Sequence, residues 1–159
     1  MDFIKNKYKI ILGFIFVLSY LACSSLSGPI FKPVSNIPAN QSIVYLYRSS
    51  DDKNTEFTMK YNNNEICVLE RGGYFPVFVR EGKVEISATL NFKLFSTALL
   101  DLATSSPSNL VFKADPGKSY YVECQSSENN KDELVIKLVP ENYGINKIKE
   151  CKLLDPIEH

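Results

Sequence analysis

The stretch Arg71–Thr89, RGGYFPVFVREGKVEISAT, contains two strand-like segments joined by the turn sequence REGK. In the second segment Val84, Ile86 and Ala88 alternate with polar residues, which is the period-two pattern of a half-buried strand. Pro76 interrupts the first segment and cannot donate to a sheet ladder, so this strand is irregular or lies at an edge. We expect the two segments to form an antiparallel hairpin.

Strand patterns of the same kind continue on both sides of this hairpin. Residues 43–48 are apolar on both faces, as in a central strand, and residues 57–61 alternate between apolar and polar side chains. Further strand patterns occupy residues 65–69, 110–114, 119–125 and 134–138. Seven to eight short strands, joined almost entirely by hairpin-type turns, predict a mostly β fold: a single antiparallel β-sandwich with one or two short accessory helices.

Two segments are candidates for the accessory helices. In residues 91–109 apolar side chains recur at steps of three and four, as on one face of a helix, but the segment can instead extend the preceding strand and then loop. Residues 140–148 favour a short helix, since Pro140 suits its first turn and Glu141 suits the positive end of its dipole. Residues 154–159 are expected to form a loose tail.

Three lysines precede an apolar run of 13 residues, Ile10–Ala22, which ends at Cys23. A membrane-spanning helix needs about 20 apolar residues, whereas a basic start and a short apolar core are typical of a cleaved export signal. The end of the run resembles a lipobox, the signal of bacterial lipoproteins, although Tyr20 stands where the common pattern has leucine. That resemblance implies cleavage between Ala22 and Cys23 and attachment of diacylglycerol to the Cys23 thiol. The alternative is an ordinary cleaved signal with a cysteine nearby.

This interpretation divides the chain into four parts. Residues 1–22 are the lipoprotein signal peptide, and residues 23–41, with three prolines among small polar residues, are the lipidated N-terminus and a flexible tether. Residues 42–153 are the β-sandwich domain, and residues 154–159 are the tail. Part of the tether, such as Ile30 and Phe31, can instead dock on the domain.

The charge balance limits the classes of partner. The chain carries 18 basic and 18 acidic residues; removal of residues 1–22 takes away three lysines and one aspartate, which leaves 15 and 17, a formal charge of −2. A domain without a basic surplus lacks the charge that phosphate contacts require, so we expect no nucleic-acid partner. Membrane lipid reached through acylated Cys23 is the expected attachment, and an envelope protein or glycan is a candidate partner.

Three cysteines remain beside Cys23: Cys67, Cys124 and Cys151. Export places them in a compartment that permits disulfides, so two of the three thiols can form one disulfide. The sequence does not determine which two. The alternative is that all three are small buried apolar residues. Their wide spacing is not that of a zinc or redox motif, and no metal or cofactor is expected.

The residues that usually carry catalysis are scarce. The only histidine is His159, in the expected tail, so no internal histidine can act as a general base. No nucleophile-elbow, C-x-x-C, P-loop or dinucleotide-binding motif is present. A pair of carboxylates, as in glycosidases, is conceivable at Asp51–Asp52 or at Glu81 with Glu85, but solvated charges at strand ends are the simpler interpretation. We therefore expect no enzymatic activity.

Arg48 ends a strand that is otherwise apolar on both faces. A buried guanidinium must be neutralised, so a structural ion pair is one role for Arg48 and recognition of an anionic ligand is the other. Tyrosines of the mature chain could stack on sugars or peptides where they are exposed, whereas tyrosines on strands usually serve as core or cross-strand partners. They include Tyr45, Tyr47, Tyr74, Tyr120 and Tyr121.

Several pieces of the domain follow a pattern known from one protein family. They are VYLYR at 44–48, GYF at 73–75, REGKVEI at 80–86, DPGKSYYV at 115–122 and GI at 144–145. These pieces resemble the opening strand, the middle hairpin, the Gly-Lys-x-Tyr-Tyr-Val motif and the closing helix of the small bacterial envelope lipoproteins classed as domain of unknown function 2846. The resemblance spans residues 41–153 apart from 91–109. It implies a lipid-anchored β-sandwich and brings no established activity.

The sequence therefore predicts a non-catalytic lipoprotein of the bacterial cell envelope, at the outer membrane or cell surface, whose β-sandwich has a structural or binding role. One alternative is a surface-exposed, adhesin-like interaction protein, which needs an exposed apolar and aromatic patch around Asn91–Leu102. A second is a carboxylate-dependent cell-wall hydrolase, which needs two facing carboxylates in a concave site.

Overall fold

The structure is a computed structural model of the chain and describes residues 26–52, 56–90, 108–127 and 134–157. Within these residues the chain forms nine strands and one helix. The strands are β1 (Gln41–Tyr47), β2 (Phe57–Tyr61), β3 (Asn64–Leu69), β4 (Gly73–Arg80), β5 (Gly82–Leu90), β6 (Ser108–Ala114), β7 (Ser119–Ser126), β8 (Leu134–Val139) and β9 (Lys152–Leu153). The helix α1 (Glu141–Ile148) follows β8.

Several expectations fall outside the described residues. They concern the signal peptide 1–22, Cys23, residues 91–107 and His159. No helix in the part of the chain that the structure describes is long and apolar enough to cross a membrane.

The strands form two packed sheets, which confirms the mostly β, sandwich-like architecture predicted from the sequence. Sheet A has the strand order β8-β7-β1-β4-β9, and sheet B has the order β3-β2-β5-β6. Sheet B is antiparallel throughout, whereas sheet A is mixed because β1 runs parallel to β7 and β4 runs parallel to β9. A short turn predicts pairing only between the two strands that it joins. The two parallel pairings are between strands distant in the chain, so no turn predicted them.

The predicted hairpin between β4 and β5 is wrong, although both strands form. β4 pairs with β1 in sheet A and β5 pairs with β2 and β6 in sheet B, so the chain crosses between the sheets at Gly82, whose φ is 107°. A glycine at positive φ permits a corner between two sheets as readily as a reversal within one. The predicted hairpin of β2 and β3 does form, with Asn62 and Asn63 at positive φ in its turn.

The core between the sheets is built from the alternating apolar residues of the strands. Val84, Ile86 and Ala88 of β5 are fully buried there, as the period-two pattern predicted. On one side of β4, Pro76 pairs with β1. On the other side, β9 pairs only with the first two residues of β4, so among the described strands Pro76 has a single neighbour and lies at an edge. Such an edge tolerates proline, as expected from the sequence.

Residues 26–40, here termed the N-terminal segment, dock on the domain and do not form a free tether. The backbone N–H of Phe31 donates to the Cys151 carbonyl (2.9 Å), and the N–H of Leu153 donates to the Pro29 carbonyl (2.9 Å). Extended chain rich in proline has neither a helical nor a period-two pattern, so the sequence indicated docking only at Ile30 and Phe31. Phe31 is buried, whereas the Ile30 side chain is mostly exposed.

The outer face of sheet A carries a second apolar cluster, which explains why β1 is apolar on both faces. Tyr45, Tyr74 and Tyr121 are buried on this face by the N-terminal segment and α1. Phe31 packs edge-to-face on Tyr45 and Tyr74, with ring centroids 5.1 and 5.2 Å apart. The helix lies so close to β7 that a Cβ at Gly144 would clash with that of Tyr121. Sheet A is therefore the middle of three layers.

The expected loose tail is instead bound to the domain over residues 154–157. Leu154 is buried, and its N–H donates to the Tyr74 carbonyl (3.0 Å). Pro156 forms an antiparallel bridge with Cys67 of β3. These contacts join residues 154–157 to sheet A at Tyr74 and to the edge of sheet B at Cys67, and a segment this short gives no strand pattern of its own.

Candidate functional site

Arg48 lies directly after β1 at one end of the sandwich, and its side chain is fully buried. Its Nε lies 3.0 Å from Asp52 Oδ2, and its guanidinium carbon lies 4.0 Å from the centroid of the Phe57 ring. Val44 and Leu46 of β1 face the core between the sheets, so the alternation of the strand directs Arg48 to the same side. The result is a charged pair inside the sandwich, with the Asp52 side chain only 8% exposed.

Asp52 extends this pair to sheet A. The backbone N–H of Ser126 donates to Asp52 Oδ2 (3.0 Å), and the Ser126 hydroxyl donates to Oδ1 (2.9 Å). Ser126 is the last residue of β7, so the network fastens the loop after β1 to the end of β7. Arg48 thus takes the structural ion pair of its two expected roles. Sequence reasoning did not name Asp52 as the partner, and its position four residues after Arg48 was the available signal.

Cys67, Cys124 and Cys151 are free and buried, so no bridge joins them. Cys67 and Cys124 lie in the core between the sheets, whereas Cys151 lies on the outer face of sheet A. Burial raises the pKa of Cys67 to about 12 and that of Cys151 to about 11, and it also raises the pKa of Cys124. Such thiols stay protonated at neutral pH and are poor nucleophiles. They pack as small apolar residues, the second of the two expected roles.

A buried polar pair lies on the outer face of sheet A, where Tyr47 of β1 is the register partner of Glu123 of β7. Glu123 is 3% exposed, and its Oε2 lies 2.9 Å from Nζ of Lys137 in β8. Burial, followed by the nearby Glu123 carboxylate, raises the pKa of Tyr47. The Tyr47 hydroxyl has no hydrogen-bond partner within the described residues. Sequence reasoning did not single out Glu123, because its burial depends on helix α1, which packs against β7.

The carboxylate pairs considered for hydrolysis have separate surroundings. Asp51 is exposed, whereas Asp52 belongs to the buried ion pair. Glu81 is exposed, and Glu85 Oε2 lies 3.5 Å from Lys83 Nζ. Within the described ranges no three His, Cys, Asp or Glu residues are grouped so that they could hold a metal ion. The patch considered for partner binding, residues 91–102, lies outside those ranges.

A surface groove of about 300 Å³ brings together both ends of the described chain. It is lined by residues 26–28 of the N-terminal segment, by Val68 and Glu70 around the end of β3, and by residues 153–157. No sequence pattern indicated the groove, because its walls come from three segments that are distant from one another in the chain.

Comparison of the chain with protein-family models, with curated proteins and with solved structures found no match.

Proposed function

We propose that the protein is a lipid-anchored, non-catalytic lipoprotein of the bacterial cell envelope, held at the outer membrane or cell surface through acylated Cys23. Its β-sandwich serves a structural or binding role there. The observation that carries the proposal is the position of Cys23, directly after the apolar run 10–22 and its basic start. Two or more acyl chains hold a protein stably in a bilayer, whereas one chain gives marginal binding.

The non-catalytic part of the proposal is supported by how the buried polar groups are engaged. The Asp52 carboxylate is held by Arg48 and Ser126, and the Glu123 carboxylate by Lys137. Acid–base catalysis needs a group that can reach a substrate proton, and carboxylates paired inside the fold are not placed to do so. We infer that these groups stabilise the sandwich.

The test is intact mass and detergent partitioning of the full chain expressed in a bacterial host, beside Cys23→Ala and the matched control Ser25→Ala. We expect the wild type and Ser25→Ala to lose residues 1–22, gain diacylglycerol and enter the detergent phase. Cys23→Ala should stay in the aqueous phase, because it lacks acyl methylenes that each contribute about 0.8 kcal/mol to membrane binding.

An unmodified Cys23, or cleavage at another position, would contradict the proposed anchor. A Cys23→Ala protein whose mass shows that residues 1–22 are gone, and which still entered the detergent phase, would also contradict it, since attachment would then depend on some other part of the mature chain.

A further inference from the structure

The N-terminal segment is built into the fold from its first described residue. Lys152 Nζ donates to the Leu26 carbonyl (2.7 Å), and the Leu26 side chain packs against the core between the sheets. Two residues further on, a Cβ at Gly28 would clash with the carbonyl oxygen of Leu153. Leu26 therefore has a fixed position on the domain.

Only three peptide steps separate Leu26 from Cys23. A fully extended chain spans at most about 3.6 Å per residue, so the two Cα atoms are at most about 11 Å apart. A free tether as far as residue 41 would have allowed roughly 50 Å at about 3.1 Å per residue. Docking of the N-terminal segment removes most of that reach.

Leu26 lies at one end of the sandwich. We term this the proximal end; it includes Glu70, before β4, and residues 153–157, which line the same groove. The distal end comprises the corner at residues 80–82, after β4, and the neighbouring turn at 115–118. β4 has eight residues at about 3.3 Å each, so it separates the two ends by about 23 Å.

We propose that acylated Cys23 holds the proximal end directly against the lipid headgroups, with the distal end facing away from the bilayer. This inference rests on the proposed acylation of Cys23. The acyl chains place Cys23 at the bilayer surface, and the fixed Leu26 follows within about 11 Å. The distal end stands further out by the length of β4, so it is the end that a second envelope component meets.

Among the described residues, the exposed charges of the proximal end are mixed in sign, which suits the surface of a bilayer without requiring anionic lipid. They are Asp51, Glu70, Arg71, Lys147, Lys149, Glu150 and Asp155. Binding through charge alone requires a cluster of basic residues, each contributing about 1 kcal/mol near an anionic surface, and these residues are not such a cluster. The orientation therefore depends on the anchor and its short reach.

The test uses the acylated protein purified from bacterial membranes and reconstituted in phosphatidylcholine vesicles that contain a lipid with a quencher on its headgroup. A fluorophore is attached at Glu70→Cys on the proximal end or at Glu81→Cys on the distal end, a matched pair of exposed glutamates. The three buried thiols are inaccessible to the label in the native fold. We expect several-fold stronger quenching at position 70 than at position 81, unchanged by salt.

A second variant carries a Gly-Ser insert between Ser25 and Leu26, which should reduce quenching at position 70 toward the value at position 81. An insert of about 12 residues has a root-mean-square length of about 20 Å. Equal quenching at the two positions without the insert, or quenching that the insert leaves unchanged, would overturn the orientation. The intact mass of the same sample separates the failures: an unacylated Cys23 contradicts the proposed function as well, whereas equal quenching with acylated Cys23 contradicts the orientation alone.

Discussion

Arg48 is a fully buried cation at the end of an apolar strand. Taking a charge out of water costs several kcal/mol, and the 3.0 Å contact with Asp52 offsets that cost only while both partners are present. The sequence pattern left two roles for Arg48, a structural ion pair and recognition of an anionic ligand, because an apolar strand that ends in arginine buries the guanidinium. It did not identify Asp52, since the conformation of the loop after β1 decides which carboxylate reaches Arg48.

Asp52→Ala should lower the free energy of unfolding by about 3 to 5 kcal/mol, because it removes the carboxylate 3.0 Å from a fully buried guanidinium. Urea unfolding followed by circular dichroism measures the loss. The matched control is Glu65→Ala, which breaks the more exposed Lys60–Glu65 pair (3.2 Å) and should cost at most about 1 kcal/mol. Similar small losses in both variants would contradict the structural role of the buried pair.

The N-terminal segment is a structural layer without regular secondary structure of its own. Phe31 is 8% exposed and fills the space between Tyr45 and Tyr74, whereas its neighbour Ile30 is 59% exposed. Helices and strands reveal their buried faces through periodicity, but an extended segment with three prolines has no such period. The sequence therefore carries no periodic signal for the docking of this segment.

Phe31→Ala should destabilise the protein by about 3 to 5 kcal/mol, because it leaves a cavity against the tyrosines of sheet A. Ile30→Ala is the adjacent control and should stay within about 0.5 kcal/mol of the wild type, since the side chain is mostly in solvent. Both values come from urea unfolding of the two variants beside the wild-type protein. Equal effects of the two substitutions would mean that the segment does not hold the position described.

The turn at Gly82 shows that local sequence can predict two strands without predicting how they pair. Both flanking strands were predicted, with β5 oriented correctly, yet the strands join different sheets. The turn residues specify that the chain changes direction. Tertiary packing decides which sheet the next strand joins.

Across the molecule as a whole, the buried thiols and phenols make stability depend on pH in the alkaline range. Burial raises the pKa of Cys67 from 9.0 to about 12, that of Cys151 from 9.0 to about 11, and that of Tyr121 from 10.0 to about 12. Above pH 9 the unfolded chain loses these protons while the folded chain keeps them. The unfolded state then binds fewer protons, so stability falls as pH rises.

We expect the urea midpoint to be insensitive to these groups below pH 9 and to fall as the pH rises from 9 through 11 to 12. Cys67→Ala should flatten this fall while lowering stability at neutral pH through the cavity that it leaves. The measurement is a series of urea unfolding curves across that pH range for both proteins. A wild-type midpoint that is constant to pH 12, or identical slopes in the two proteins, would contradict the burial of these groups.

The amino-acid sequence alone predicted the class of fold, the positions of most strands and the need to neutralise Arg48, by an ion pair or by an anionic ligand. They follow from alternation, turn residues and the cost of burying charge, which are properties of a few successive residues. Only the tertiary structure shows how most of the strands pair and that β4 and β5 belong to different sheets. It also shows that both ends of the described chain line one groove. The physical reason is that both faces of sheet A are covered by segments distant in sequence, and no local pattern states which distant segment will bury a given face.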